Sequence, residues 1–163
     1  MGTLAADGRV VQEVATKGIT LSQTPTVTAG AYSAKDAVGG LLTFAGASAI
    51  YGRGGVIKNV LILDDAGQDA GLELWLFKET FTAMSNNAAW NPSQADLRKL
   101  VAIISIPAGS YHDAGTESAA DVEVSKRYDL TGTSLFGQLV TPVDTPTYVA
   151  TDDVTVIIGL LQD

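Results

Sequence analysis

Apolar and polar residues alternate along several short stretches of this chain with the two-residue period of a half-buried strand. In Leu72-Glu-Leu-Trp-Leu-Phe77, Leu72, Leu74 and Leu76 fall on one face and Glu73, Trp75 and Phe77 on the other. Ala120–Ser125 alternates in the same way, with Val122 and Val124 directed inward. Ile19-Thr-Leu-Ser-Gln-Thr-Pro-Thr-Val27 alternates for three steps before Pro25 confines it to an edge or an irregular course. Val56–Leu63 is apolar on both faces in its second half, as a strand in a sandwich core is. Leu41–Phe44 predicts a short apolar strand, Leu100–Ile106 a buried strand stopped by Pro107, and Val154–Leu161 a closing strand. Tyr148-Val149 predicts a further short strand before a turn at Asp152-Asp153.

Turn residues punctuate these runs. Gly52, Gly54 and Gly55 precede Val56, and Asp64-Asp65-Ala66-Gly67 follows Leu63. One short helix is predicted over Pro92–Lys99, with Ser93 as N-cap, Asp96 three residues on and Lys99 at the end that suits the helix dipole. Tyr128–Pro146 is rich in Thr, Gly and Pro and reads as irregular. With about seven or eight strands, one helix and no internal repeat, the fold class expected is all-β. The economical architecture is an antiparallel β-sandwich of jelly-roll type. An immunoglobulin-like sandwich ranks second, because its Cys and Trp landmarks are missing.

Residues 1–30 are Thr-, Gly- and Ala-rich, carry scattered aliphatics and hold no aromatic residue. They read as an extended N-terminal arm ahead of a sandwich domain over 31–163. The competing reading is a loose tail followed by the domain's first strand. On the arm reading, Ile19, Leu21, Val27 and Tyr32 are the residues that contact a protein partner, since an extended segment adds to another sheet through its main chain and fills pockets with alternate side chains.

Composition narrows the functional classes. The 163 residues suffice for one domain. Hydrophobic residues are 46% and charged residues 17%, against about 25% charged in ordinary domains, which excludes wholesale disorder. A net charge of -8 argues against phosphate-backbone binding and against a polybasic membrane contact, so neither nucleic acid nor a membrane is an expected partner. The absence of cysteine removes disulfides, thiolate metal sites and thiol catalysis. Nothing approaches eighteen apolar residues in a row. Met1–Val11 lacks a basic head followed by an apolar core, so no signal peptide is expected and folding in the cytoplasm is.

Candidate chemistry is thin. His112, the single histidine, lies in Ala108–Gly115 close in sequence to Ser110 and Asp113, but sequence adjacency is not triad geometry and a solvated loop residue is the stronger reading. The pairs Asp64/Asp65, Asp69/Glu73 and Asp152/Asp153 offer carboxylates for acid–base work. Asp64, Asp65 and Asp69 also offer oxygens for calcium, without the spacing of an EF-hand loop. Adjacent aspartates at strand ends more often build turns. Gly52–Val56 leads into a strand, unlike a phosphate-cradling loop. Trp75, Trp90, Tyr111 and Tyr128 are available for a sugar-stacking platform, although large aromatics in such a domain more often fill a core or an interface. No catalytic residue, cofactor or metal is assigned, and the expectation is a non-enzymatic protein that acts by adhering.

Tyr32-Ser-Ala-Lys-Asp-Ala-Val-Gly-Gly-Leu-Leu-Thr-Phe44 resembles a segment of small structural proteins of tailed bacteriophages. The likeness runs on through Gly55–Ile62, Leu72–Phe77, Asn87–Pro92 and Ala95-Asp96, and covers Tyr32 to Ile106. These proteins are similar to capsid decoration, or cement, proteins. The resemblance implies a jelly-roll homotrimer synthesised in the host cytoplasm and placed on the outside of the virion capsid. There it would staple adjacent copies of the major capsid protein, with no catalytic residue. A head-fibre, tail or receptor- or carbohydrate-binding module of a virion is the alternative.

Overall fold

A computed structural model describes residues 17–163 and, of the first sixteen, only the backbone pairing of β1 (Thr3–Leu4) with β2 (Val10–Val11). The strands that follow are β3 (Lys17–Gln23), β4 (Ala37–Phe44), β5 (Gly54–Asp64), β6 (Leu72–Phe77) and β7 (Leu100–Ile106). The short β8 (Tyr111–Asp113), then β9 (Ser118–Asp129), β10 (Leu135–Val140) and β11 (Val154–Gln162) complete the set. One sheet has the order β3-β11-β5-β9-β8 and the other β4-β10-β6-β7, with every pairing antiparallel.

If the eight long strands from β3 to β11 are counted one to eight, leaving out β8, the two sheets read 1-8-3-6 and 2-7-4-5. This is the strand order of a jelly roll: two Greek keys wound so that each connection except β6–β7 crosses from one sheet to the other. The inward faces interleave between the sheets. Ile57, Val60, Ile62, Val156 and Ile158 from one meet Leu42, Phe44, Leu72, Leu74 and Leu139 from the other, and all are buried. β11 alternates without a break, its even-numbered residues from Val154 to Gln162 buried and the odd ones between them half-exposed.

The extended-arm expectation fails for residues 17–30. β3 pairs along its whole length with β11, from Lys17 opposite Gln162 to Gln23 opposite Val156. The aliphatic side of Ile19-Thr-Leu21 therefore covers an edge of this chain's own core, and Pro25 ends the strand as an edge proline does. Pro25 itself packs against Gly39, whose φ of +70° and lack of Cβ let the two segments touch. Among the described residues the sandwich begins at Lys17, not at residue 31. The arm expectation for residues 1–16 lies outside the described side chains.

Two other elements depart from the sequence reading. Tyr128–Pro146 is not irregular throughout, because it contains β10, a central strand. Gly137 and Gln138 interrupt its apolar run, and a Cβ at residue 137 would press on the carbonyl of Trp75. Conversely, Tyr148-Val149 forms no strand: Tyr148 is buried in a loop and Val149 is exposed. The predicted helix is one turn, α1 (Gln94–Leu97), capped by the Ser93 hydroxyl, which accepts from the Asp96 amide at 3.1 Å.

The outer face of β6 is covered by residues 78–99, the connection to β7. Phe81 stacks on Phe77 with ring centroids 3.9 Å apart, and Trp90 meets Trp75 edge-on at 5.3 Å. The same strap shields the edge of β4, where Ala37 donates to Ala88 O and Trp90 donates to Lys35 O.

Candidate functional site

The four residues expected to contact a partner are not gathered on the surface. Val27 and Tyr32 are core residues, 1% and 3% exposed, and Ile19 and Leu21 are partly buried against that core. Tyr32 is held by a polar knot. Its hydroxyl accepts from the Thr28 amide at 2.7 Å and donates to Asn86 Oδ1 at 2.6 Å, while Asn86 Oδ1 also accepts from the Gly39 amide. The apolar residues read from the sequence as an adhesive arm close the sandwich instead. The reason is that burial against β11 and the strap gives them apolar neighbours within the same chain.

Of the six carboxylates singled out by sequence, Asp64 and Asp153 are committed to backbone amides. Asp64, 1% exposed, accepts from Ala66 N at 3.1 Å, Gln68 N at 2.9 Å and Asp69 N at 3.0 Å. Burial pushes its carboxyl above the ordinary aspartate range; the three amides counter that, and the nearby Asp69 charge adds to it. Asp153 accepts from Val149 and Ala150 N, and Glu73 accepts from the Trp75 indole at 2.9 Å. Asp65 is exposed and turned away from this work. Among the described residues no three Asp, Glu or His side chains converge as a metal ligand set.

His112 is exposed on β8 opposite Ala119. Ser110 sits in a 3₁₀ turn, where its hydroxyl donates to Pro107 O at 2.6 Å. The aromatic platform does not form from the residues named for it. Trp90, part of the strap, packs edge-on against Trp75 of β6, and Tyr128 is in the core, where its hydroxyl donates to Ala47 O at 2.6 Å. Burial raises the Tyr128 phenol to about 12, and burial likewise pushes the Tyr111 phenol upward, helped by the charges of Asp64, Asp69 and Asp144.

Among the described residues, Leu41, Leu97 and Ile103 are exposed on β4, α1 and β7, a shallow hollow of about 340 Å³ lies beside Lys58 and Glu123 on β5 and β9, and the most exposed apolar side chains stand at the two ends of the sandwich. At one end the β4–β5 connection carries Ile50 and Tyr51, 57% and 78% exposed. That connection is bonded to the β9–β10 connection, with Ser48 N donating to Thr133 O at 3.1 Å and Gly52 N to Gly132 O at 3.0 Å. Thr131 N in turn donates to Lys78 O at 3.2 Å, which ties in the start of the strap. Between these segments lies an open cleft of about 310 Å³ lined by the aromatic Tyr51 and Phe136 and by polar residues that include Glu79, Thr80, Thr131 and Thr133. At the far end of β10, Val143 and Val149 stand 73% and 79% exposed, beside a cleft of about 290 Å³ lined by Asp69 and Asp144. Sequence reasoning passed over Ile50-Tyr51, although an aliphatic–aromatic pair against Gly52 in a turn is a legible signal.

No known protein-family model matches the chain, and no curated protein matches its sequence. What the fold defines is a jelly-roll β-sandwich whose buried carboxylates serve as loop caps.

Proposed function

We propose that this chain is a non-enzymatic structural protein of a tailed-bacteriophage virion, a decoration protein that binds the capsid exterior and staples neighbouring major capsid proteins. One observation carries the reading. The segments that resemble decoration proteins, Tyr32–Phe44, Gly55–Ile62, Leu72–Phe77 and Asn87–Pro92, supply β4, most of β5, β6 and a part of the strap, and the first three contribute to one core. The likeness therefore falls on residues that determine a jelly roll, rather than on a scattered surface pattern.

Adhesion suits the chemistry of the side chains. Asp64 and Asp153 hold loops in shape by accepting main-chain hydrogen bonds, and Ser110 is tied into its own turn. The apolar side chains at the two ends, Ile50 and Tyr51 at one and Val143 and Val149 at the other, are separated by the length of β10. A body with apolar loops at opposite ends is suited to touch more than one neighbour. Assembly as a trimer multiplies each weak contact through effective concentration, which is what a shell under internal pressure requires.

Co-sedimentation with expanded capsids, together with light scattering of the free protein, tests the proposal. The expected result is a trimer that pellets with expanded heads and raises their resistance to heat. A strict monomer that stays in the supernatant overturns it.

A further inference from the structure

The cleft at the Tyr51 end has the composition of a small polar-ligand site and is assembled independently of the resemblance. Its volume, about 310 Å³, lies at the lower end of the range for small-molecule sites. One wall is the ring of Tyr51, 78% exposed, on a turn that is braced rather than loose. The buried Ser48 hydroxyl donates to Ile50 O at 2.7 Å and accepts from Ile50 N at 3.3 Å, and Gly52, at φ +71°, reverses the chain directly after the ring. The rest of the lining includes the hydroxyl-bearing Thr80, Thr131, Thr133 and Ser134; the Thr131 hydroxyl donates to Lys78 O at 3.3 Å and keeps its lone pairs as acceptors. Glu79 adds a carboxylate acceptor, 3.5 Å from the Thr131 hydroxyl.

The lining decides the chemical class. Among the described residues no lysine or arginine walls the cleft, and a carboxylate does, so a phosphate or other anion is disfavoured. A single carboxylate falls short of the charge and ligand number that calcium takes. A purely apolar ligand would strand four hydroxyls and a carboxylate against it. A pyranose combines a flat C–H face, which an aromatic ring covers well, with a rim of hydroxyls that exchange hydrogen bonds with Thr, Ser and Glu. The cross-tied loops hold these groups in place before binding, so little ordering is required when the ligand arrives.

We propose that this cleft binds a saccharide, with Tyr51 stacking on one sugar face and Glu79 and the Thr131, Thr133 and Ser134 hydroxyls engaging its hydroxyl rim. The site differs from the Trp75 surface, against which Trp90 of the strap packs, and it would add glycan adhesion to a virion surface protein.

The test is saturation-transfer NMR on the full chain with the methyl glycosides of glucose, galactose, mannose and N-acetylglucosamine at millimolar concentration. The expected result is transfer to at least one glycoside, weakened about tenfold or more by Tyr51→Ala and by Glu79→Gln but kept by Tyr51→Phe. Because Tyr51 and Glu79 lie at the surface, the variants should melt within about 2 °C of the parent. Absence of transfer to all four glycosides, or transfer undiminished in both weakened variants, overturns the proposal. So does loss of capsid co-sedimentation by Tyr51→Ala without any glycoside signal, which would make the cleft a protein contact. The glycoside assay uses free protein, so its failure leaves the capsid reading standing, and failure on capsids leaves this one standing.

Discussion

The side-chain amide of Gln138 and the main chain of Met84 exchange two hydrogen bonds: Met84 N donates to Gln138 Oε1 at 2.9 Å, and Gln138 Nε2 donates to Met84 O at 2.7 Å. Gln138 Nε2 also donates to Gly39 O at 3.0 Å. A wholly buried glutamine on the middle of a sheet thus fastens the strap to β10 and to β4 at one point. It replaces the pairing with water that Met84 would lose when the strap folds down over Trp75 and Phe77.

Gln138→Leu keeps the volume and removes these bonds, leaving the Met84 and Gly39 main-chain groups without partners. The cost expected is about 3 kcal/mol, since each orphaned buried polar group costs about 1–3 kcal/mol. Urea denaturation should show a lower midpoint with an unchanged slope, and tryptophan emission should shift to the red as the strap, with its Trp90, loosens from Trp75. An unaltered midpoint contradicts the fastening role.

Asp64 gives a pH dependence of defined sign. Burial raises its folded pKa above the ordinary 3.8, so between that value and the folded pKa the folded state binds more protons than the unfolded one. Its contribution to stability is then complete below the ordinary value and declines as pH rises through the folded pKa. Asp96 runs the other way: the Ser93 hydroxyl and then Lys99 lower its pKa, and its contribution, present above the ordinary value, is lost as pH falls through its folded pKa. Carboxyl NMR should place the Asp64 midpoint above that of exposed aspartates and the Asp96 midpoint below. In Asp64→Asn the decline in stability above pH 4 attributable to this group should vanish, while overall stability falls because one amide acceptor is lost.

Removal of residues 1–28 should damage the domain. It takes away β3, uncovers β11 and deletes the buried Pro25 and Val27. The expected outcome is a melting temperature lowered by about 10 °C or more, or failure to fold, read by circular dichroism. A truncated protein that melts like the full chain would restore the reading of this whole segment as an arm.

Gly39→Ala should destabilise by about 2 kcal/mol or more, because the residue sits at φ +70° and its new Cβ would meet the ring of Pro25. Gly40→Ala, one residue on with open space around its Cβ position, is the control and should change the urea midpoint little. Equal effects at both positions would show that the Pro25 contact is not what demands glycine.

The sequence by itself determined most of the strands and the class of fold. Leu72–Phe77 carries its burial pattern in local alternation, and the Ser93 cap is a local hydrogen bond, so each is legible without the rest of the molecule; Leu100–Ile106 is legible as a strand but not in its burial, since Ile103 in that apolar run faces out of β7, 41% exposed. Only the tertiary structure decided the role of Ile19–Tyr32, because whether an apolar edge segment closes its own sheet or a partner's depends on where β11 ends up, not on the segment. The same holds for β10, whose Gly137 and Gln138 look like loop residues until Trp75 crowds one and Met84 pairs with the other. The Tyr51 cleft was equally hidden, since its walls come from three connections that meet only when the jelly roll brings their ends together.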